Sequence, residues 1–200
     1  MRSFAFAVVL ASLSACTTES EGDSGDSGDS EASADEASVS ATDPTASSES
    51  GGMTGCESGP LEAPIPGCAP VPPASTGDFA QDCVDRINQF RWECQCLPPL
   101  ARWTDAEMCS DEQSGNDQSS GAAHGNFGAC GESAQNTCPD WPSETDVVTG
   151  CLQLMWDEGP GEPFEAHGHY INMSNTQYSK VACGFFSSAQ GVWANQNFSP

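Results

Sequence analysis

The sequence predicts an α+β domain of ordinary size, cross-linked by disulfides and carried on a disordered N-terminal tether. Helix signals occur three times between residues 78 and 157, and two short apolar runs close the chain. Eleven cysteines follow a secretory start, which in a chain of 200 residues reads as a disulfide framework in an oxidising compartment. A metal cluster is the alternative for such cysteines, but the one tight pair, Cys94-Gln95-Cys96, lacks zinc-ribbon spacing. Five basic residues face 29 acidic ones, a net charge of −24. That balance excludes a nucleic-acid binder, which needs a basic face, and disfavours attachment to anionic lipid.

Residues 1–15 read as a signal peptide: Arg2, then an apolar run from Phe4 to Leu13 too short to span a bilayer. The run ends Leu13-Ser14-Ala15-Cys16, which resembles a bacterial lipobox. The resemblance implies cleavage before Cys16 and lipidation of it. Setting Cys16 aside leaves ten cysteines, an even number that can pair fully: Cys56, Cys68, Cys83, Cys94, Cys96, Cys109, Cys130, Cys138, Cys151 and Cys183. Residues 17–55 have no Lys, Arg or aromatic residue and are rich in Asp, Glu, Ser and Gly. Such a segment buries too little apolar surface to offset chain entropy. Its Gly-Asp-Ser repeat is low-complexity sequence, not a protease motif. Residues 56–76 are Pro-rich and hold Cys56 and Cys68, either as a small loop of their own or strapped to later cysteines.

The domain proper is expected over 77–200. A first helix covers about Asp78–Glu93, with Phe79, Cys83, Ile87 and Phe90 on one stripe and capping-box spacing from Ser75 to Asp78. Leu97-Pro98-Pro99 stops it. A second helix begins at the capping box Thr104-Asp105-Ala106-Glu107 and runs to about Asp117, its end left open by Gly115. A third covers about Glu144–Asp157, with a cap at Ser143 and Asp146 and a broad apolar face from Val147 to Met155. Gly159-Pro160-Gly161 terminates it. Val181–Phe186 and Val192–Phe198 read as a terminal hairpin.

Gly168-His169-Tyr170 followed by Asn172, Met173, Asn175 and Val181-Ala182-Cys183-Gly184 resembles the signature of the CAP superfamily, the cysteine-rich secretory, antigen 5 and pathogenesis-related proteins (SCP domain). Other pieces fall in the family's order: Asn88-x-x-Arg91, Leu97 to Trp103, His124 after the second helix, Gly131-Glu132-Ser133, Glu158 closing the third helix, and Asn197-Phe198-Ser199-Pro200. The chain departs from the pattern at Ser133, at Met155 and in lacking a cysteine in the last strand, so Cys183 must pair elsewhere. The resemblance covers roughly residues 79–200 and implies a three-layer α-β-α sandwich.

It also implies that His124, Glu132, Glu158 and His169 converge on one cleft. There His124 and His169 would bind Zn2+ or another divalent metal, with Glu132 and Glu158 orienting the imidazoles or a bound water. His167 competes with His169, because in an extended segment the two point the same way. No Gly-x-Ser-x-Gly elbow or His-Glu-x-x-His helix is present. The expected function is a surface-tethered, non-catalytic binding module for an apolar ligand or a protein partner. The alternative is a metal-assisted hydrolase of envelope or extracellular peptides, for which Glu132 and Glu158 would be the catalytic candidates. The lipid anchor would be the membrane contact. Thr17, in place of the Asp that retains many lipoproteins at the inner membrane, points to the outer membrane or cell surface.

Overall fold

A computed structural model describes residues 56–200; the signal peptide, Cys16 and the tether of 17–55 lie outside the described residues. Helix α1 (Phe79–Gln89) continues into a π-helical turn, Phe90–Cys94. A two-residue strand β1 (Ala101–Arg102) and a 3-10 turn (Thr104–Ala106) lead into α2 (Glu107–Ser120). Strand β2 (Ala134–Trp141) follows. One continuous helical stretch comes next: α3 (Glu144–Asp146), a π turn (Val147–Cys151) and α4 (Leu152–Asp157). Helix α5 (Gly168–Ser174) precedes the hairpin β3 (Lys180–Ser188) and β4 (Gly191–Ser199). The sheet order is β1-β3-β4-β2, with β1 parallel to β3 and the rest antiparallel.

Side chains alternate across the sheet, and the partners they find define three layers. Cys183 bonds Cys83 on α1 and Cys138 bonds Cys151, so α1 and the α3–α4 stretch cover one face. Asn136, two residues from Cys138, donates to His169 O (3.1 Å), which adds α5 to that face. The opposite face carries α2: Ser114 Oγ donates to Gly184 O, and Asn197 Nδ2 to Ser110 Oγ. The expected α-β-α sandwich is the observed one.

The two interfaces are chemically unlike. The α1 side is an apolar core of Val84, Ile87, Phe90, Val147, Leu152, Trp156, Met173, Val181 and Phe198, with Phe90 stacked on Trp156 and Tyr170 edge-on to it. The α2 side is polar: Ser110, Gln113, Ser114, Asp117, Gln135, Thr137, Asn195 and Asn197 are all buried. There α2 is held by hydrogen bonds and by Cys109–Cys130.

Five disulfides pair all ten cysteines of the described residues: Cys56–Cys96, Cys68–Cys94, Cys83–Cys183, Cys109–Cys130 and Cys138–Cys151. Five bridges in one domain belong to an oxidising compartment. Cys56 and Cys68 strap residues 56–76 to the end of the first helical stretch, so the lead-in is not a loop closed on itself.

Several local expectations are corrected. Asp78, not Ser75, caps α1, its carboxylate accepting from Ala80 N and Gln81 N. Ser75 and Thr76 instead donate to Asp82, which anchors the lead-in. Thr104 makes no capping bond, and Glu107 is taken by Arg102 in a two-point ion pair. Helix α2 runs through Gly115, where a Cβ would press on the Phe186 ring, and ends at Gly121 in the left-handed conformation. Strands β1 and β2 carry no apolar alternation and were not anticipated.

Candidate functional site

Three buried side chains, Asn172, Arg91 and Tyr170, fix α5 and with it His169. Asn172 Nδ2 donates to Asn136 Oδ1 (2.9 Å), stitching the helix to β2. Arg91, 1% exposed, reaches from the π turn and donates from Nη1 to Met173 O (2.7 Å) and Asn175 O (3.1 Å), satisfying the carbonyls at the end of α5. Burial lowers the Arg91 pKa to about 10, which leaves the guanidinium charged at neutral pH. Its neighbour in the motif, Asn88, exchanges two hydrogen bonds with the Leu100 backbone. Tyr170 donates its hydroxyl to Gln95 Oε1 (2.7 Å) inside the core, where burial raises its pKa.

His169 faces a cavity of about 780 Å³ and sits against Glu158: Nδ1 lies 2.5 Å from Oε1, and the backbone N–H donates to Oε2 (3.0 Å). His167 is elsewhere. Its Nδ1 meets the carbonyls of Glu158 (2.7 Å) and Gly159 (2.9 Å), and its ring packs on Gly161, where no Cβ would fit. The extended-segment reasoning fails because 168–174 is helical. His167 precedes the helix and His169 stands in its first turn, so the two rings diverge.

His124 lines the same cavity from the other face of the sheet. It has a left-handed backbone, φ 62°, in the loop after α2. The buried Asp117 carboxylate holds that loop, accepting from His124 N (3.1 Å) and Gly125 N (3.0 Å). The His124 ring places Nδ1 2.8 Å from Gln135 Oε1. The cleft therefore wraps the free edge of β2, with Ser133, Ala134 and Gln135 between the two imidazoles.

Glu132 does not touch either imidazole. Its Oε1 accepts from Gln113 Nε2 (2.7 Å) and Gly128 N (2.6 Å), and its Oε2 from Cys130 N (2.9 Å). The carboxylate is consumed by the 121–131 loop and the α2 interface, and the group beside His124 is the carboxamide of Gln135.

The remaining wall combines the apolar and aromatic Phe127, Phe164, Ile171 and Tyr178 with the polar Glu165, Asn172 and Asn175. Phe127 and Phe164 are more than half exposed at the rim. No sequence motif points to these phenylalanines or to Gln135; the visible hint is a phenylalanine in a glycine-rich loop, Gly125-Asn126-Phe127-Gly128.

The donor set fits a two-imidazole metal site in part. Each Nδ1 is held by an acceptor, the arrangement that frees Nε2 as a ligand. Among the described residues, however, no group of three or more His, Cys, Asp or Glu side chains is placed to hold an ion, so water or a ligand would have to complete the coordination.

No protein-family model matches this chain, and no curated protein matches it in sequence. Among solved structures, its backbone is similar to that of BmVAL-1, at 16% identity and a TM-score of 0.47 over 66% of this chain and 81% of that one. It is also similar to that of Na-ASP-1, at 14% identity and a TM-score of 0.43 over 68% of this chain, and it spans only 42% of Na-ASP-1. Likenesses at this level carry no functional conclusion.

Proposed function

We propose that the chain is a surface-tethered extracellular binding module of the CAP type, non-catalytic, which takes an apolar ligand or protein segment into the cleft at the β2 edge. The observation that carries this is the cavity itself: some 780 Å³, in the range of small-molecule sites, rimmed by Phe127 and Phe164 and lined by His124, His169 and the amides of Gln135 and Asn172. A few polar groups converging on a largely apolar wall orient a ligand. Zinc or another divalent ion held by His124 and His169 would supply a Lewis-acidic anchor for a ligand oxygen. The hydrolase alternative needs a group poised to move a proton beside such an ion. Glu158 is bonded to His169 and Glu132 lies under the loop, so neither of the two expected candidates is a free base; the carboxylate that lines the cavity is that of Glu165.

Binding of diphenylhexatriene, a neutral apolar fluorophore, to the full chain tests the reading. Its emission should rise on binding, and Phe127→Ser with Phe164→Ser should remove most of the rise while leaving the disulfide-bonded fold intact by circular dichroism. No rise with the wild type, or an unchanged rise in the double variant, would overturn it.

A further inference from the structure

Two chains of hydrogen bonds end on the same atom, His124 Nδ1, and each begins at a buried carboxylate. In the first, Asp117 Oδ2 accepts from Asn195 Nδ2 (3.2 Å), Asn195 Oδ1 accepts from Thr137 Oγ1 (2.8 Å), and Thr137 Oγ1 faces His124 Nδ1 (3.4 Å). In the second, Gln113 Nε2 donates both its protons, to Glu132 Oε1 (2.7 Å) and to the backbone carbonyl of Asn126 (2.8 Å). Gln113 Oε1 accepts from Gln135 Nε2 (3.0 Å), and Gln135 Oε1 faces His124 Nδ1 (2.8 Å).

A carboxylate and a backbone carbonyl only accept. Each therefore forces the next amide to present its NH2, which forces that amide's oxygen to the following member. Asn197 locks the second chain further, because its Oδ1 accepts from Gln135 Nε2 (2.9 Å) and its Nδ2 donates to Gln113 Oε1 (2.6 Å). No amide in either chain can be reversed without setting two buried acceptors face to face, which costs more than the hydrogen bond itself.

We infer that Asp117 and Glu132 are positioning residues that fix the tautomer of His124 from a distance: the neutral ring carries its proton on Nδ1 and presents the Nε2 lone pair to the cleft. Among the described residues Nε2 has no hydrogen-bond partner. Glu158 imposes the same tautomer on His169 by direct contact. The cleft then offers two acceptor nitrogens, which suit a cation or a ligand bearing hydroxyl or N–H donors. That consequence rests on the cleft being the binding site; the tautomer does not.

Two-bond proton–nitrogen correlation spectra of the uniformly 15N-labelled full chain read the tautomer directly. They are recorded at pH 8.5, above the ordinary imidazole pKa of about 6.5. A free histidine side chain favours Nε2–H. The wild type should show His124 with a pyrrole-like Nδ1 and a pyridine-like Nε2. Gln135→Leu combined with Thr137→Val should return His124 to a majority of Nε2–H and leave the His169 pattern unmoved, which a merely structural role for these residues would not do. If the three histidines collapse to common shifts, the double variant has unfolded. Gln135→Leu and Thr137→Val singly then carry the comparison, each raising the Nε2–H fraction. Nε2–H in the wild type, or Nδ1–H persisting in folded variants, overturns the inference. No ligand takes part in the readout, so a cleft that binds nothing and a wrong tautomer are separate results.

Discussion

His124 is held in a left-handed backbone that a residue with a Cβ adopts at a cost of about 1–2 kcal/mol, and Asp117 is what holds it there. Removing that carboxylate frees the backbone N–H groups of His124 and Gly125 and the Asn195 amide together. Asp117→Ala should destabilise the domain by about 3 kcal/mol, the scale of leaving charged-group hydrogen bonds unmade in a buried site, as urea unfolding would show; a loss under about 1 kcal/mol would mean that water replaces the carboxylate. Asp82 gives a pH signature. Burial raises its carboxyl, but hydrogen bonds from Ser75 Oγ (2.5 Å), Thr76 Oγ1 (2.7 Å) and Thr76 N (2.8 Å) outweigh that and hold it below its ordinary value. With the folded value below the unfolded one, its contribution is complete above the unfolded value of about 3.9 and is lost as pH falls through the folded one. The stability gap between wild type and Asp82→Asn should therefore shrink between pH 5 and pH 2. A gap that widens would contradict the assignment.

Helix α2 shows where sequence reading stops. Its residues, Glu107–Ser120, present no apolar stripe, and neither they nor the polar strand Ala134–Trp141 give the periodicity that betrays α1 or the terminal hairpin. The two elements are instead complementary to each other, amide to amide, and such pairing is invisible until both are in place. The capping signals fared by context: Ser143 caps α3 as expected, accepting from Asp146 N, while Thr104 was outcompeted once Arg102 claimed Glu107. The site was half legible. His124, His169 and Glu158 stand in the sequence as motif residues, whereas Gln135 and Gln113 look like ordinary polar positions. Close approach of α2 to β3 depends on Gly184, whose added Cβ would run into the Ser110 and Asp111 backbone. Gly184→Ala should cost about 1–3 kcal/mol and loosen α2 selectively, read as faster amide exchange in 107–120 than in the α1 core. Uniform loss across both layers would place the strain elsewhere. Removing Cys109–Cys130, whose separation is 21 residues, should cost about 3 kcal/mol.

At the scale of the molecule, charge is one-sided. Of the basic residues among the described ones, Arg86 and Arg91 are buried, Arg102 is paired with Asp78 and Glu107, and Lys180 lies over the Trp103 ring. An anionic surface of this kind repels acidic partners and draws cations to itself without any specific site, so a metal claim has to be separated from bulk attraction. Calorimetric titration of zinc into the full chain in high salt, where diffuse attraction is screened, makes that separation for the wild type and for His124→Ala, His169→Ala and His167→Ala. The two-imidazole cleft predicts about one ion per chain, loss of binding in His124→Ala and in His169→Ala, and no change in His167→Ala, whose ring caps the end of α4. Zinc binding that vanishes in salt, or that survives both cleft substitutions, would contradict it.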